Sequence, residues 1–343
     1  MPQDLRTGPL MRALPAVIAC LAAVLSGCAA VLSGCAAGAV SGPPLLARVS
    51  APTPTAPTRP PFAVGERTIK FVDTSRTVRF PGKPPEPRTL VTVIRYPAAG
   101  RGTDIPNAPP ARVARRFPLI VFGHGFAVTP APYAGLLQAW ARAGYVVAAP
   151  IFPLGNANAP GGPYESDIVN QPRDMSFVIT RMLELDATPH SPFQGLIAPH
   201  AIAVAGQSDG GETALAVGYD SHFLDRRVHA AVILSGAELP GVGRFDFPAP
   251  SPPLLAAQGT ADTTNQPRYT YAFFGAAPRP KFLLSLLGAQ HLPPYTTEEP
   301  QLGIVERVST DFLDRYLLNG NRALLQMTTA GNVPGVATIT ADP

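Results

Sequence analysis

Cysteine is almost missing from this 343-residue chain: Cys20, Cys28 and Cys35 are the three, and all stand in the first 35 residues. Everything behind them is cysteine-free, which excludes disulfides, zinc–thiolate sites and a Cys nucleophile from the body of the protein. Lysine is as scarce, at positions 70, 83 and 281, and the remaining basic residues are arginines scattered without runs. With a formal net charge of only +4, the chain carries no basic stripe of the kind that binds nucleic acid, so no nucleic-acid partner is expected. Charged residues make up 15% and hydrophobic ones 46%, too little charge for a disordered chain and enough apolar material for a core. Proline (42) and glycine (31) are abundant, but there is no glycine at every third position, so a collagen helix is out. Nothing resembles a phosphate loop, a dinucleotide fingerprint or a metal-binding helix, and neither a cofactor nor a metal is expected.

The N-terminus reads as an export signal. Arg6 and Arg12 form a basic start, and Leu14 to Leu25 is apolar but far short of the ~20 residues that span a bilayer. The heptad Val-Leu-Ser-Gly-Cys-Ala-Ala then occurs twice in tandem, at 24–30 and 31–37, so that Leu-Ser-Gly-Cys ends in Cys28 and again in Cys35. This resembles the bacterial lipobox, which implies cleavage before a diacylated Cys28, with Cys35 as the reserve, and a cell-envelope, extracytoplasmic, membrane-anchored protein. Two or three acyl chains hold a protein on a membrane stably where one does not. An ordinary signal peptide with a secreted product and an uncleaved anchor are the alternatives, and either Met1 or Met11 could be the start. Residues 36–62 hold seven prolines among Ser, Thr and Ala and read as an extended tether. The division is therefore signal peptide 1–27, lipidated Cys and tether 28–62, catalytic domain 63–320 and C-terminal tail 321–343.

Strand-like runs follow at 67–72 and 89–96, then a Pro/Gly-rich loop at 97–116. From 117 on, short fully apolar runs (118–122, 145–151, 201–205, 230–234, 254–257, 282–287) alternate with helical patterns (133–143, 176–185, 212–217, 304–318). Runs without polar alternation suit strands covered on both faces, and alternation with helices predicts an α/β fold, a mostly parallel central sheet with helices on both faces. In such sheets ligands bind beyond the carboxyl ends of the strands.

One of those ends reads Ala-Ile-Ala-Val-Ala-Gly-Gln-Ser208-Asp-Gly-Gly, strand into G-x-S-x-G into a small-residue helix. That context is what a nucleophile elbow requires: flanking glycines remove clashes around a strained serine whose hydroxyl stands free at a helix N-terminus. A serine needs a base and the base needs an orienting acid, in the chain order Ser, acid, His. Of the histidines after Ser208, His222 and His229 sit in structural positions, whereas His291 lies in a loop just past the run 282–287. Asp262 lies just past 254–257 and is the acid, with Glu238 its rival; Asp220, Asp225 and Asp246 read as surface or turn residues. Oxyanion donors are the backbone amides of Asp209 and of Phe126, the latter in Gly123-His124-Gly125-Phe126 beyond the run 118–122. His124 precedes Ser208, so a structural role in that loop is expected of it. Specificity is placed in the long loop 152–174. Phe126, Tyr164 and Tyr295 are the candidates for lining an apolar pocket there, with surface packing as the other reading.

Together, His124-Gly125-Phe126, Gly-Gln-Ser208-Asp-Gly-Gly, Gly-Thr-Ala-Asp262 and Gln-His291 resemble an α/β-hydrolase, over roughly 115–318. The set is most similar to dienelactone-hydrolase-like esterases, chlorophyllases, platelet-activating-factor acetylhydrolases and cutinase-like polyester hydrolases. The resemblance implies an α/β-hydrolase fold, a Ser-His-Asp acyl-enzyme mechanism without cofactor, and a small or lipid-like ester as substrate. Two features depart from those relatives: dienelactone hydrolases use Cys, and cutinase-like enzymes commonly carry disulfides. Amide or peptide hydrolysis by the same triad, and a catalytically silent binding lipoprotein, are the competing functions.

Overall fold

The computed structural model describes residues 60–238, 242 and 245–343. The expectations for the signal peptide, Cys28, Cys35 and most of the tether lie outside the described residues.

A single ten-stranded sheet organises the protein. Two long strands come first, β1 (Ala63–Val78) and β2 (Glu86–Ala98), paired antiparallel, and the two-residue β3 (Ile105–Pro106) runs parallel to β1 at the sheet edge. The parallel core comprises β4 (Phe117–Gly123), β5 (Val146–Ile151), β6 (Ile197–Gln207), β7 (Val228–Leu234), β8 (Leu254–Gly259) and β9 (Lys281–Leu286). The spatial order is β3-β1-β2-β5-β4-β6-β7-β8-β9-β10, with β2 antiparallel to β5. Because β5 lies on one side of β4 and β6 on the other, the connections leaving β4 and β6 diverge and open a crevice at the carboxyl ends of these two strands.

The full hydrophobicity of the core strands follows from burial on both faces. Ile120 and Phe122, Val147 and Ala149, Ala203 and Ala205, Val232 and Leu234 pack with helices α1 (Ala134–Ala143) and α5 (Gln301–Leu317). Their neighbours Leu119 and Val121, Ala148, Val204, Ala231 and Ile233 pack on the other face with α2 (Gln171–Ala187), α3 (Asp209–Tyr219) and α4 (Pro267–Ala276). Helix α3 is buried along its whole length, so its small residues are what lets it lie flat between the sheet and α2. Among the described residues no helix is long and apolar enough to cross a membrane.

Three expectations change. The segment 321–343 is not a loose tail: it forms α6 (Ala323–Gly331) and β10 (Ala337–Asp342), and β10 pairs antiparallel with β9. Helix α2 begins at Gln171, after a 3-10 turn at Glu165–Asn170, so the irregular loop after β5 is shorter than 152–174. Asp174 belongs to the helix and is fully buried. Helix α4, which starts with a proline in its first turn, has no counterpart among the expected helices.

Asp174 is buried because of Arg88 on β2, itself 1% exposed. The Arg88 guanidinium forks onto two carboxylates. Nε and Nη2 donate to Asp174 at 2.7 and 2.6 Å, and Nη1 and Nη2 donate to Asp167 at 3.0 and 2.7 Å. Arg76 closes the network on Asp174 (2.8 Å) and Asp73 (2.6 Å). The β1–β2 hairpin is thereby pinned to the 3-10 turn and to α2, and Thr213 of α3 donates to Gln171 at 2.9 Å, linking the same turn to the helix behind Ser208. Removing one member of a buried ion network leaves uncompensated charge. Arg88→Met is therefore expected to lower unfolding free energy by about 3–5 kcal/mol, read as a drop in the urea midpoint.

Candidate active site

The crevice between β4 and β6 is occupied by Ser208. It caps the N-terminus of α3 with φ +55° and ψ −125°, a backbone conformation that a non-glycine residue adopts only when its surroundings enforce it. The enforcement is visible in the flanking glycines. A Cβ on Gly206 would stand 2.0 Å from the Gly210 carbonyl oxygen, and a Cβ on Gly210 would stand 2.0 Å from that of Gly123. Strand β6, the start of α3 and the end of β4 thus touch backbone to backbone. The Ser208 amide donates to the Leu234 carbonyl at 3.0 Å, tying the turn to β7.

Ser208 Oγ lies 2.8 Å from His291 Nε2, and His291 Nδ1 lies 2.8 Å from Asp262 Oδ2. With Nδ1–H donating to the carboxylate, Nε2 is left as the acceptor for the serine proton. His291 stands in the loop after β9 and Asp262 in the turn after β8, so three strand ends supply the three groups. Asp262 is 3% exposed. Burial works against its charge, but bonds from His291, Ser235 and Gln258 outweigh it and hold the carboxyl below its ordinary value. Its other oxygen accepts from the Thr264 and Asn265 amides, both at 2.9 Å, so the acid is oriented on both sides.

The loop after β4 lies against the serine: a Cβ on Gly125 would be 3.2 Å from Ser208 Cβ. Phe126 follows it, half-buried, and its amide has no hydrogen-bond partner among the described residues. Asp209 begins α3, where the first amides have no intrahelical acceptor. The Phe126 and Asp209 amides thus flank the serine from two sides.

His124 is 1% exposed and serves that loop. Its Nδ1 donates to the Gly125 carbonyl at 2.8 Å and its Nε2 accepts from the Phe152 amide at 3.1 Å, bridging the ends of β4 and β5. The other sequence candidates lie apart from the serine: His222 approaches Arg173 at 3.5 Å, His229 is exposed on β7, and Glu238 is exposed. Among the described residues no cluster of three or more His, Cys, Asp or Glu could hold a metal ion.

Two pocket candidates sit elsewhere than expected. Tyr295 is wholly buried; its hydroxyl donates to the Ala257 carbonyl at 3.0 Å and lies 2.9 Å from Ser235 Oγ, so it braces β7 and β8 beneath Asp262 and does not line an open pocket. Tyr164 is 59% exposed and borders a surface cavity of about 490 Å³ together with Phe80, Lys83 and Leu154. None of Ser208, Asp262 and His291 borders it.

Sequence reasoning missed Gln207, the residue before the serine. Its Nε2 donates to the His291 carbonyl at 3.0 Å, and its Oε1 accepts from Tyr133 OH at 2.7 Å. Tyr133 OH in turn accepts from the Gly125 amide at 3.3 Å. One side chain therefore ties the histidine loop to the loop after β4. Its place inside the elbow motif was the available signal.

No family model and no curated protein matches the chain. Among solved structures, a ferulic acid esterase from Streptomyces cinnamoneus is similar in fold, with a TM-score of 0.57 and 21% sequence identity over 78% of this chain and 93% of that one. The mixed α/β architecture, with its mostly parallel sheet, is the α/β-hydrolase fold of that esterase.

Burial pushes the His124 imidazole down to about 4, well below the ordinary 6.5. Between those two values the unfolded chain binds the proton and the folded one does not, so stability is complete above pH 6.5 and falls as the pH drops toward 4. The loss amounts to about 3 kcal/mol for this one group. His124→Gln is expected to flatten that part of the stability profile, measured by urea unfolding at stepped pH.

Proposed function

We propose that the protein is a serine hydrolase that cleaves carboxylic esters. The observation that carries this reading is the continuous chain Ser208 Oγ–His291 Nε2, His291 Nδ1–Asp262, built on a serine held in a strained turn. His291 takes the Ser208 proton as the oxygen attacks the ester carbonyl, and Asp262 holds the imidazole in the tautomer that accepts it and stabilises the cation formed. The negative charge on the carbonyl oxygen is met by the Phe126 and Asp209 amides. His291 then gives its proton to the departing alcohol, leaving an acyl-serine, and repeats the cycle with water. No step needs a cofactor. The fold similarity to a ferulic acid esterase supports an ester over an amide as the substrate.

The location is proposed from the N-terminal residues: cleavage before Cys28, diacylation there, and a Pro-rich tether that holds the catalytic domain off an envelope membrane on its extracytoplasmic side.

Ser208→Ala is expected to abolish hydrolysis of p-nitrophenyl acetate and butyrate and labelling by a fluorophosphonate probe; undiminished turnover overturns the assignment, and a wild-type protein that takes no probe favours a silent binding protein. Cys28→Ala is expected to move the full-length protein from the membrane to the soluble fraction of the expressing cell. Release that requires Cys35→Ala instead moves the lipid to the second heptad.

A further inference from the structure

The cavity of about 490 Å³ lies between the turn that joins β1 to β2 and the loop that follows β5. Its size falls in the range of small-molecule sites. Two cations line it, Arg79 and Lys83, and no carboxylate among the described residues does. Both are exposed, and among the described residues neither side chain has a hydrogen bond or an ion pair. Lys83 Nζ lies over the Phe80 ring, 6.0 Å from its centroid. The rest of the wall is apolar or aromatic, with Phe80 and Tyr164, Leu154, and the rings of Pro81, Pro160 and Pro163. The larger cavity of the protein, about 1050 Å³ between α1, α5 and α6, differs in charge: there Arg142 and Arg307 share the wall with Glu306 and Asp311.

The walls are held before any ligand arrives. Phe80-Pro81-Gly82-Lys83 is a tight turn closed by the Lys83 amide on the Phe80 carbonyl at 3.1 Å, with Gly82 at φ +71°, the proline–glycine pair that a type II turn calls for. Opposite it, the Tyr164 amide donates to the Leu154 carbonyl at 2.7 Å and closes the loop on itself. The two sides touch: a Cβ on Gly161 would stand 2.5 Å from Pro81 Cγ. Behind them, Arg76 Nη1 donates to the Asn170 carbonyl at 3.3 Å and Arg88 holds Asp167, so the ion network that pins the hairpin to the turn before α2 also fixes the spacing of the walls. A preformed site spares a ligand the cost of ordering these loops. One wall also neighbours the candidate site: Gly155, next to Leu154, accepts from the Ala127 amide at 2.8 Å, and Ala127 follows Phe126. The lining specifies the chemistry of its ligand. A guanidinium presents a planar fork to a carboxylate and an ammonium adds a second charge, while aromatic and proline rings offer flat apolar faces to another ring. An anion without a ring leaves the apolar wall uncovered, and a ring without an anion leaves both cations unanswered.

We propose that this cavity binds an aromatic carboxylate, at a site distinct from the Ser208 triad. The site is independent of the serine reading, because such a ligand carries no ester bond for Ser208 to cleave. The test titrates the full-length protein with 2-naphthoate and with 2-naphthamide, its uncharged isostere, by isothermal titration calorimetry in low-salt buffer. 2-Naphthoate is expected to bind about tenfold more tightly, the discrimination that two solvent-exposed cations on one carboxylate supply. Replacing both cations (Arg79→Gln with Lys83→Gln) is expected to bring the two affinities within about twofold of each other. Tyr164→Ala is expected to weaken both ligands and leave their ratio unchanged, since it removes an aromatic face and no charge. All three side chains are exposed, so these variants keep the fold. No saturable binding of 2-naphthoate at millimolar concentration, a wild-type ratio near one, or a tenfold ratio kept in the double cation variant overturns the site. So does a Tyr164→Ala protein that binds both ligands as the wild type does. Ser208→Ala is expected to bind 2-naphthoate with wild-type affinity whatever becomes of ester hydrolysis; loss of binding there would put the ligand at the triad and overturn a separate site.

Discussion

Three backbones converge at Gly123, Gly206 and Gly210, and the candidate site exists because nothing stands between them. The distances leave no room for a methyl group at either elbow glycine, so β6 enters α3 through a turn that no other residue allows. That approach puts Ser208 at positive φ, sets the first amides of α3 beside the serine, and brings the loop after β4 within contact of its Cβ. The strain at the serine is held in place by the sheet around it, since the turn is bonded to β7 and lies under a helix buried on every side.

Around this fixed point, charge is arranged in two different ways. On the hairpin side, Arg88 and Arg76 draw the turn before α2 against β1 and β2, with nearly every oxygen accounted for. On the histidine side, Asp262 receives the imidazole and two backbone amides, while Tyr295 and Ser235 brace the strands under it. Both constructions fix the positions of their charged groups through several bonds at once, so neither depends on a single contact. Asp209, beside the serine, keeps one carboxylate oxygen without a hydrogen-bond partner among the described residues.

The parts legible in the sequence were those with local signatures. The elbow glycines, the apolar core strands, and the placement of Asp262 and His291 just past strands all follow from short-range pattern, and the structure brings Ser208, His291 and Asp262 into hydrogen-bond contact. What the sequence hid depends on distant partners. Arg88 meets residues about eighty positions away, so nothing near it marks it as buried. Tyr295 follows the histidine as a pocket residue would, but its hydroxyl finds acceptors inside and turns inward. Helix α4 begins at a proline that reads as a break, although proline suits a first turn. The pair α6 and β10 is short enough to pass for a tail, and β10 joins the sheet through its pairing with β9.

That last pairing reaches beyond the C-terminus itself. Strand β9 carries the connection to His291, and among the described residues its outer edge is paired by 337–342. Loss or displacement of these six residues would uncover the backbone edge of a strand whose side chains are largely buried, and an uncovered edge is a template for pairing with another chain. The final segment therefore covers the edge of the strand from which the catalytic histidine candidate is hung.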